Sequence, residues 1–322
     1  MPALLLNSKN MDLSITFANV HFPNPVVLAS GVLGVTGNSL KYVIENGAGG
    51  VTTKSIWLEE HLGHPNPTMM GNEHFFVNAV GLPDAGIDKA HEEIGKYMNW
   101  HDSQGLKAPL IASIVAGKVS DFGEIAEKIA ELKPHLIEVN ISCPNVEDEL
   151  GKPFACDMNQ AAEVTKIVKK RTNGEYPIIV KLSPNVNNLT EIAKSVEAAG
   201  ADGICAFNTF GPGMVIDIDT AQPILANKVG GVSGPGLKPL VVKGIYDLYK
   251  AVKIPIIGTG SVLTGRDAIE LMMAGATLIG VGTAVYYRGD EVFGKIVREM
   301  EEWCDENDVL DISEIVGRTH QI

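Results

Sequence analysis

Cysteine is scarce in this 322-residue chain, and its four copies, Cys143, Cys156, Cys205 and Cys304, show no Cys-x-x-Cys spacing. Their scatter argues against a zinc site or an iron–sulfur cluster held by this chain alone, and it fits a reducing, cytoplasmic compartment. Positive charge is also in short supply. With 26 Lys and Arg against 39 Asp and Glu, the formal net charge is -13, which argues against a general affinity for nucleic acid or anionic membrane. Long apolar runs are missing: each is broken by Gly or a polar residue well short of the roughly 20 residues that cross a bilayer. Residues 1–10 lack the charged start and cleavage site of a secretory signal. Internal repeats, low-complexity tracts and glycine patterns of the Walker or Rossmann type are absent too, so nucleotide sites of those types are not indicated.

What is present is a large apolar fraction, 45% against 20% charged residues, enough for a substantial core. Residues 11–28 alternate apolar and polar side chains around Phe22-Pro23-Asn24-Pro25, which predicts an N-terminal β-hairpin. Eight short, continuously apolar segments follow at 26–31, 50–55, 109–114, 136–142, 177–183, 203–209, 255–261 and 278–284. Helical patterns fall between them, as at 188–200, 240–252 and 266–275, with a last helix over 291–307. Continuous rather than alternating strands are those buried on both faces of a parallel sheet. Eight strand-then-helix units predict a (β/α)8 TIM barrel, with residues 1–322 as one domain; an open doubly wound sheet is the alternative, since periodicity does not show closure. Two insertions, 56–84 and 210–239, follow strand C-termini, the face on which such barrels carry their sites.

Polar and small residues collect at the predicted strand ends. Ala29-Ser30-Gly31, Lys54-Ser55, Asn140 with Cys143 and Asn145, Lys181-Leu182-Ser183 and Asn208-Thr209 form one set. Gly230 to Gly234, Gly258-Thr259-Gly260-Ser261 and Gly282-Thr283 form another, in the order expected of a phosphate site built from late strand ends. A buried Lys requires a partner, so Lys54 and Lys181 predict an anionic or electron-rich ligand. Asn presents donor and acceptor side by side, which suits the imide edge of a pyrimidine-like ring. Cys143, at the end of the apolar run from Glu138, is the reactive candidate; the other three thiols read as small buried apolar residues.

Several of these segments carry a family resemblance. Ala29-Ser30-Gly31, Thr53-Lys54-Ser55, Asn78-Ala79-Val80-Gly81-Leu82-Pro83, Asn140-Ile141-Ser142-Cys143-Pro144-Asn145 and Val180-Lys181-Leu182-Ser183-Pro184 resemble the class 1 dihydroorotate dehydrogenases. Asn208-Thr209, Gly230 to Gly234 and Val281-Gly282-Thr283-Ala284 do so as well, in the right order between about residues 12 and 316. The segment from Met214 to Pro239 looks most like the B subtype.

The resemblance implies an FMN-containing catalytic subunit, a homodimer or a heterotetramer with an electron-transfer subunit that carries FAD and a [2Fe-2S] cluster and passes electrons to NAD. It implies oxidation of (S)-dihydroorotate to orotate, with Cys143 as general base at C5 while hydride leaves C6 for the flavin. It makes Lys54 a catalytic neighbour of both flavin and substrate. Asn78, Val80, Gly81, Leu82, Asn140, Asn145, Asn208 and Thr209 become substrate-binding residues. Ala29, Ser30, Gly31, Ser55, Asn140 and Lys181 become flavin contacts, and Gly234, Gly260, Ser261, Gly282 and Thr283 the phosphate site. No metal is implied. Two positions depart from the family pattern: Asp84 stands where Asn is common after Gly-Leu-Pro, and Ser261 where a second Gly is common. The alternatives are a dihydropyrimidine dehydrogenase acting on uracil or thymine and, in a different class, a non-catalytic flavin-binding subunit.

Overall fold

The computed structural model describes residues 11–142 and 154–321. The hairpin is there, as β1 (Ile15–Phe17) paired with β2 (Val20–Phe22). Its turn residues Ala18 and Asn19 have φ of 47° and 64°, the left-handed pair whose twist matches that of the flanking strands. Phe17 and Phe22 leave the hairpin fully buried and meet edge to face. Gly203 and Gly50 make room for them: a Cβ would lie 2.6 Å from the Phe17 ring at the first and 2.7 Å from the Phe22 ring at the second. Both glycines begin core strands, so the hairpin closes the end of the molecule away from the strand C-termini.

In chain order the remaining strands are β3 (Val26–Leu28), β4 (Gly50–Thr52), β5 (Met69–Gly71), β6 (Phe76–Asn78), β7 (Leu110–Ile114), β8 (Leu136–Asn140) and β9 (Ile178–Lys181). After them come β10 (Gly203–Ala206), β11 (Phe210–Gly213), β12 (Ile216–Asp217), β13 (Gln222–Pro223), β14 (Gly230–Ser233), β15 (Ile256–Thr259) and β16 (Leu278–Val281). The sequence β3, β4, β7, β8, β9, β10, β15, β16 closes on itself, parallel throughout, and β16 pairs back onto β3. This is a TIM barrel, and the open sheet is excluded. Apart from β7, which ends at Ile114 as expected, the strands stop two or three residues before the ends expected from sequence because those tails turn toward the site; Gly31, at φ 105°, has left the strand conformation altogether.

Helices α1 (Gly37–Glu45), α2 (Ile87–Gln104), α3 (Val119–Ala130), α4 (Met158–Arg171), α5 (Leu189–Ala198), α6 (Lys238–Ala251), α7 (Gly265–Ala274), α8 (Ala284–Arg288) and α9 (Val292–Glu306) fill the connections. Their ends follow local chemistry. Thr36 with Ser39 and Thr264 with Asp267 close reciprocal capping boxes at α1 and α7, and Gly105 ends α2 in the left-handed conformation. Among the described residues no helix is long and apolar enough to cross a membrane.

The insertions are not independent excursions. Strands β11, β14, β6 and β5 form one antiparallel sheet in that order, with Gly231 opposite Asn78 and Val232 opposite Val77. Val77, Ala79 and Leu225 give it a small core of its own. Sequence reasoning placed both insertions on the site face but did not pair them.

Candidate active site

At the C-terminal end of the barrel lies a cavity of about 530 Å³, within the usual range for small-molecule sites. Seven of the eight barrel strand ends, all but that of β7, bring a share of its wall. From β3 come Ala29, Ser30 and Gly31; from β4, Lys54 and Ser55; from β8 and β9, Asn140 and Lys181. Asn208 and Thr209 follow β10, Gly260 and Ser261 follow β15, and Gly282 and Thr283 follow β16. The insertion sheet adds Asn78, and the turn after it adds Val80, Gly81 and Leu82. Gly234 is not on the wall; it stands behind it and accepts a hydrogen bond from the Ser261 hydroxyl at 2.8 Å. Cys143 and Asn145 lie outside the described residues. Thus seventeen of the twenty residues predicted from sequence line one cavity.

The polar groups of the wall are tied to one another. Asn140 donates from Nδ2 to Ser55 Oγ at 2.9 Å, and its Oδ1 accepts both the backbone N–H and the hydroxyl of Ser142, at 3.2 and 3.0 Å. Asn208 Nδ2 donates to Ser142 Oγ at 3.1 Å. The hydroxyls of Ser30 and Ser113 lie 3.1 and 2.9 Å from that of Ser55. The residue before Cys143 is therefore held by two wall amides at once.

Charge on the wall is cationic with acids behind it. Lys181 is buried, and its ammonium lies 3.9 Å from the buried Glu138 carboxylate. Asp84 does not line the cavity: one of its carboxylate oxygens accepts the N–H of Trp57 at 3.1 Å and that of Gly86 at 3.0 Å. Burial raises the Asp84 pKa, opposed by those amides and by the positive charge of Lys54. This answers the first departure from the family pattern, since the carboxylate anchors backbone away from the cavity. The neighbouring turn is fixed by Trp57, whose indole N–H donates to the Leu82 carbonyl at 3.0 Å and whose ring stacks on His61. That hold is what lets Gly81 and Leu82 sit at φ of 73° and 52°.

Ser261, the second departure, adopts φ 59° and turns its hydroxyl onto Gly234. This conformation costs a serine more than it would a glycine, and the hydrogen bond to Gly234 offsets part of that cost.

The wall also has bare places that a bound group would fill. Among the described residues nothing lies within 4 Å of where a side chain would start on Gly31, and at Gly282 only the Ala29 methyl does, at 3.8 Å. The buried Thr209 hydroxyl has no hydrogen-bond partner among the described residues. Two ammoniums, three amides and exposed backbone at the late strand ends fit a flavin phosphate beside a planar, electron-rich ring. The apolar wall residues Phe76, Phe207, Phe210, Leu237 and Tyr286 escaped sequence reasoning. They sit in or beside irregular segments, with no periodicity to mark them.

Residues 12–304 match the dihydroorotate dehydrogenase family. The catalytic subunit of dihydroorotate dehydrogenase B (NAD(+)) from Methanocaldococcus jannaschii is 42% identical over 309 residues, covering 96% of this chain and 98% of that one. The protein of the same name from Methanosarcina mazei is 40% identical over the full length of both. Among solved structures, that of DHODH from Eimeria tenella in complex with ferulenol superposes with a TM-score of 0.83, covering 100% of this chain and 92% of that one, at 21% identity, a likeness of fold. The barrel, its cavity and relatives aligned end to end agree: the chain belongs to the dihydroorotate dehydrogenase family and is a flavin-dependent oxidoreductase.

Proposed function

We propose that this chain binds FMN in the barrel cavity and oxidises (S)-dihydroorotate to orotate, as the catalytic subunit of a B-type enzyme of pyrimidine synthesis. The observation that carries the reading is the convergence of Lys54, Lys181 and the amides of Asn78, Asn140 and Asn208 on one wall. The substrate offers a carboxylate and an imide edge, and these are the groups that recognise them.

When bound, the flavin supplies the acceptor for two electrons and the hydrogen at substrate C6. Ala29, Ser30, Gly31, Ser55, Asn140 and Lys181 would hold its ring. Ser261, Gly260, Gly282 and Thr283 would hold its phosphate, with Gly234 bracing Ser261. Asn78, Asn208 and Thr209 orient the substrate ring. Lys54 and the backbone of Val80 to Leu82 take the carboxylate, and Lys54 also favours negative charge developing beside it. Cys143 takes the C5 proton and so needs its thiolate form. Asn145 completes the substrate set. Support for a base at position 143 comes from Ser142, whose backbone N–H and hydroxyl are both fixed on the wall.

The relatives named as NAD(+) catalytic subunits support an electron-transfer partner; that this partner carries FAD and a [2Fe-2S] cluster, and that the catalytic chain is a homodimer within the assembly, is what the resemblance to the B subtype implies. The test is direct: protein purified with its flavin is assayed with dihydroorotate and with dihydrouracil, the reduced counterpart of uracil, under dye-coupled conditions. Turnover of dihydroorotate is expected. Turnover of dihydrouracil alone would move the chain to the dihydropyrimidine dehydrogenases, and failure to acquire flavin from added FMN would overturn the reading of the cavity.

A further inference from the structure

One buried acid has no part in the reaction described above. Glu138 lies on β8 two residues before Asn140, only 2% exposed, and not on the cavity wall. The Ser113 hydroxyl donates to it at 2.8 Å, and Lys181 Nζ lies 3.9 Å away. From Ser113 the hydrogen bonds continue to Ser55 at 2.9 Å and from there to Asn140 at 2.9 Å. Ser55, Asn140 and Lys181 all reach the cavity. The remaining neighbour is Cys205 on β10, whose thiol is pushed up to about 12 by burial and by the negative charge of Glu138, against the positive charge of Lys181. A thiol so placed stays neutral and adds no charge of its own beside the Glu138–Lys181 pair.

Packing does not account for this pair. An ion pair inside a barrel carries a desolvation cost that apolar residues of similar size avoid, and removing either partner alone leaves an uncompensated charge. Its consequence is electrostatic. A lone Lys181 would put its full charge on the wall; with Glu138 behind it, the cavity meets the positive end of a nearly neutral pair. In a low-dielectric site that difference acts on any bound ring that changes charge on reduction.

We propose that Glu138 is a positioning residue that lowers the reduction potential of the flavin in this cavity: it offsets the charge of Lys181 and, through Ser113 and Ser55, fixes the Asn140 amide. The inference rests on the flavin reading of the cavity. Glu138 neither gives nor takes a proton; the two electrons and the substrate hydrogen follow the path already described. What changes is how readily the reduced flavin passes its electrons on. Full exposure to Lys181 would stabilise the reduced form, speeding reduction by substrate and slowing delivery to the next acceptor.

The test compares purified holoprotein with Glu138→Gln by equilibration against dyes of known potential, read from flavin absorbance. The variant is expected to raise the equilibrium constant for flavin reduction at least tenfold, about 30 mV for a two-electron couple. Substrate reduction of the flavin should be retained while its reoxidation slows. A change below threefold in a variant that keeps its flavin overturns the proposal, because a purely structural role would alter flavin content and stability without moving the potential. If Glu138→Gln loses its flavin, Lys181→Met is compared with Lys181→Met/Glu138→Gln, and the double variant is expected to be the higher of the two by the same tenfold. Equality between them, or loss of flavin from every variant, makes Glu138 a folding residue and overturns the inference. Wild-type protein that binds no flavin fails the earlier reading instead.

Discussion

Two residues carry the clearest single-site expectations. Removing the sulfur in Cys143→Ala takes away the proposed base without touching the described cavity wall. Flavin content should stay at the wild-type level while turnover at neutral pH falls by about 10² to 10⁴, the usual worth of a positioned base. Flavin absorbance and steady-state rates over a range of pH check this: wild-type rate should rise with pH as the thiolate forms, and the variant should lose that rise. Undiminished turnover would remove Cys143 from the reaction. For Asp84 the expectation concerns stability. A single carboxylate oxygen accepts both Trp57 and Gly86, so an amide oxygen in Asp84→Asn can keep both bonds while shedding a half-buried charge. The pKa of Asp84 is raised on folding, so the stability it lends is full below its ordinary value of 3.8 and is lost as pH rises through the folded value. Asp84→Asn should therefore be more stable than wild type at pH 7 by less than about 1 kcal/mol, because water screens a half-buried site. The gain should fade in acid. Denaturant melts at pH 7 and pH 4 decide it, and a variant less stable at neutral pH would show that attraction to Lys54 outweighs burial.

At the scale of elements, the sheet built from the two insertions brings Asn78 to the cavity, on the side proposed to hold the substrate. Gly231 on β14 is packed so closely under Thr209 that a Cβ there would fall 1.9 Å from its hydroxyl. Gly231→Ala should thus displace Thr209, costing about 1 to 3 kcal/mol of stability through overpacking. Orotate binding should weaken at least tenfold with flavin retained, as read by titrating orotate against the flavin spectrum; wild-type affinity would mean that Thr209 does not contact the ligand. This sheet also marks where the sequence ceases to be legible. The barrel strands could be read because Leu110 to Ile114 and Leu136 to Val139 are buried on both faces and so form nearly unbroken apolar runs. Strands β11 and β14 read Phe-Gly-Pro-Gly and Gly-Gly-Val-Ser, with neither alternation nor β-branched density, so only tertiary pairing makes strands of them. The site was legible for a different reason: polar residues at the ends of apolar strands stand out against their own element. Glu138 did not stand out, since a single acid inside an apolar run reads as part of the strand until its partners Ser113 and Lys181 are seen. Gly234 was legible as glycine but not as a residue one step behind the wall.

On the scale of the whole molecule, one apolar cluster runs from Leu13 through the barrel to Ile315, so early, central and late parts of the described chain share a core. The reading of residues 1–322 as one domain then predicts a single calorimetric unfolding transition for flavin-free protein, and two resolved transitions would overturn it. Electron flow is the other property that no single residue decides. The chain has four scattered cysteines, which suit no iron–sulfur cluster, and lacks a Rossmann glycine pattern for NAD. We propose that electrons taken from dihydroorotate leave this chain through a second protein. We expect the purified chain to reduce an artificial dye with dihydroorotate and to leave NAD untouched. Addition of a subunit bearing FAD and a [2Fe-2S] cluster should bring NAD reduction to a rate comparable with the dye-coupled one, followed at the absorbance of NADH. Direct reduction of NAD by the isolated chain would instead place a nicotinamide site on this barrel and remove the need for a partner.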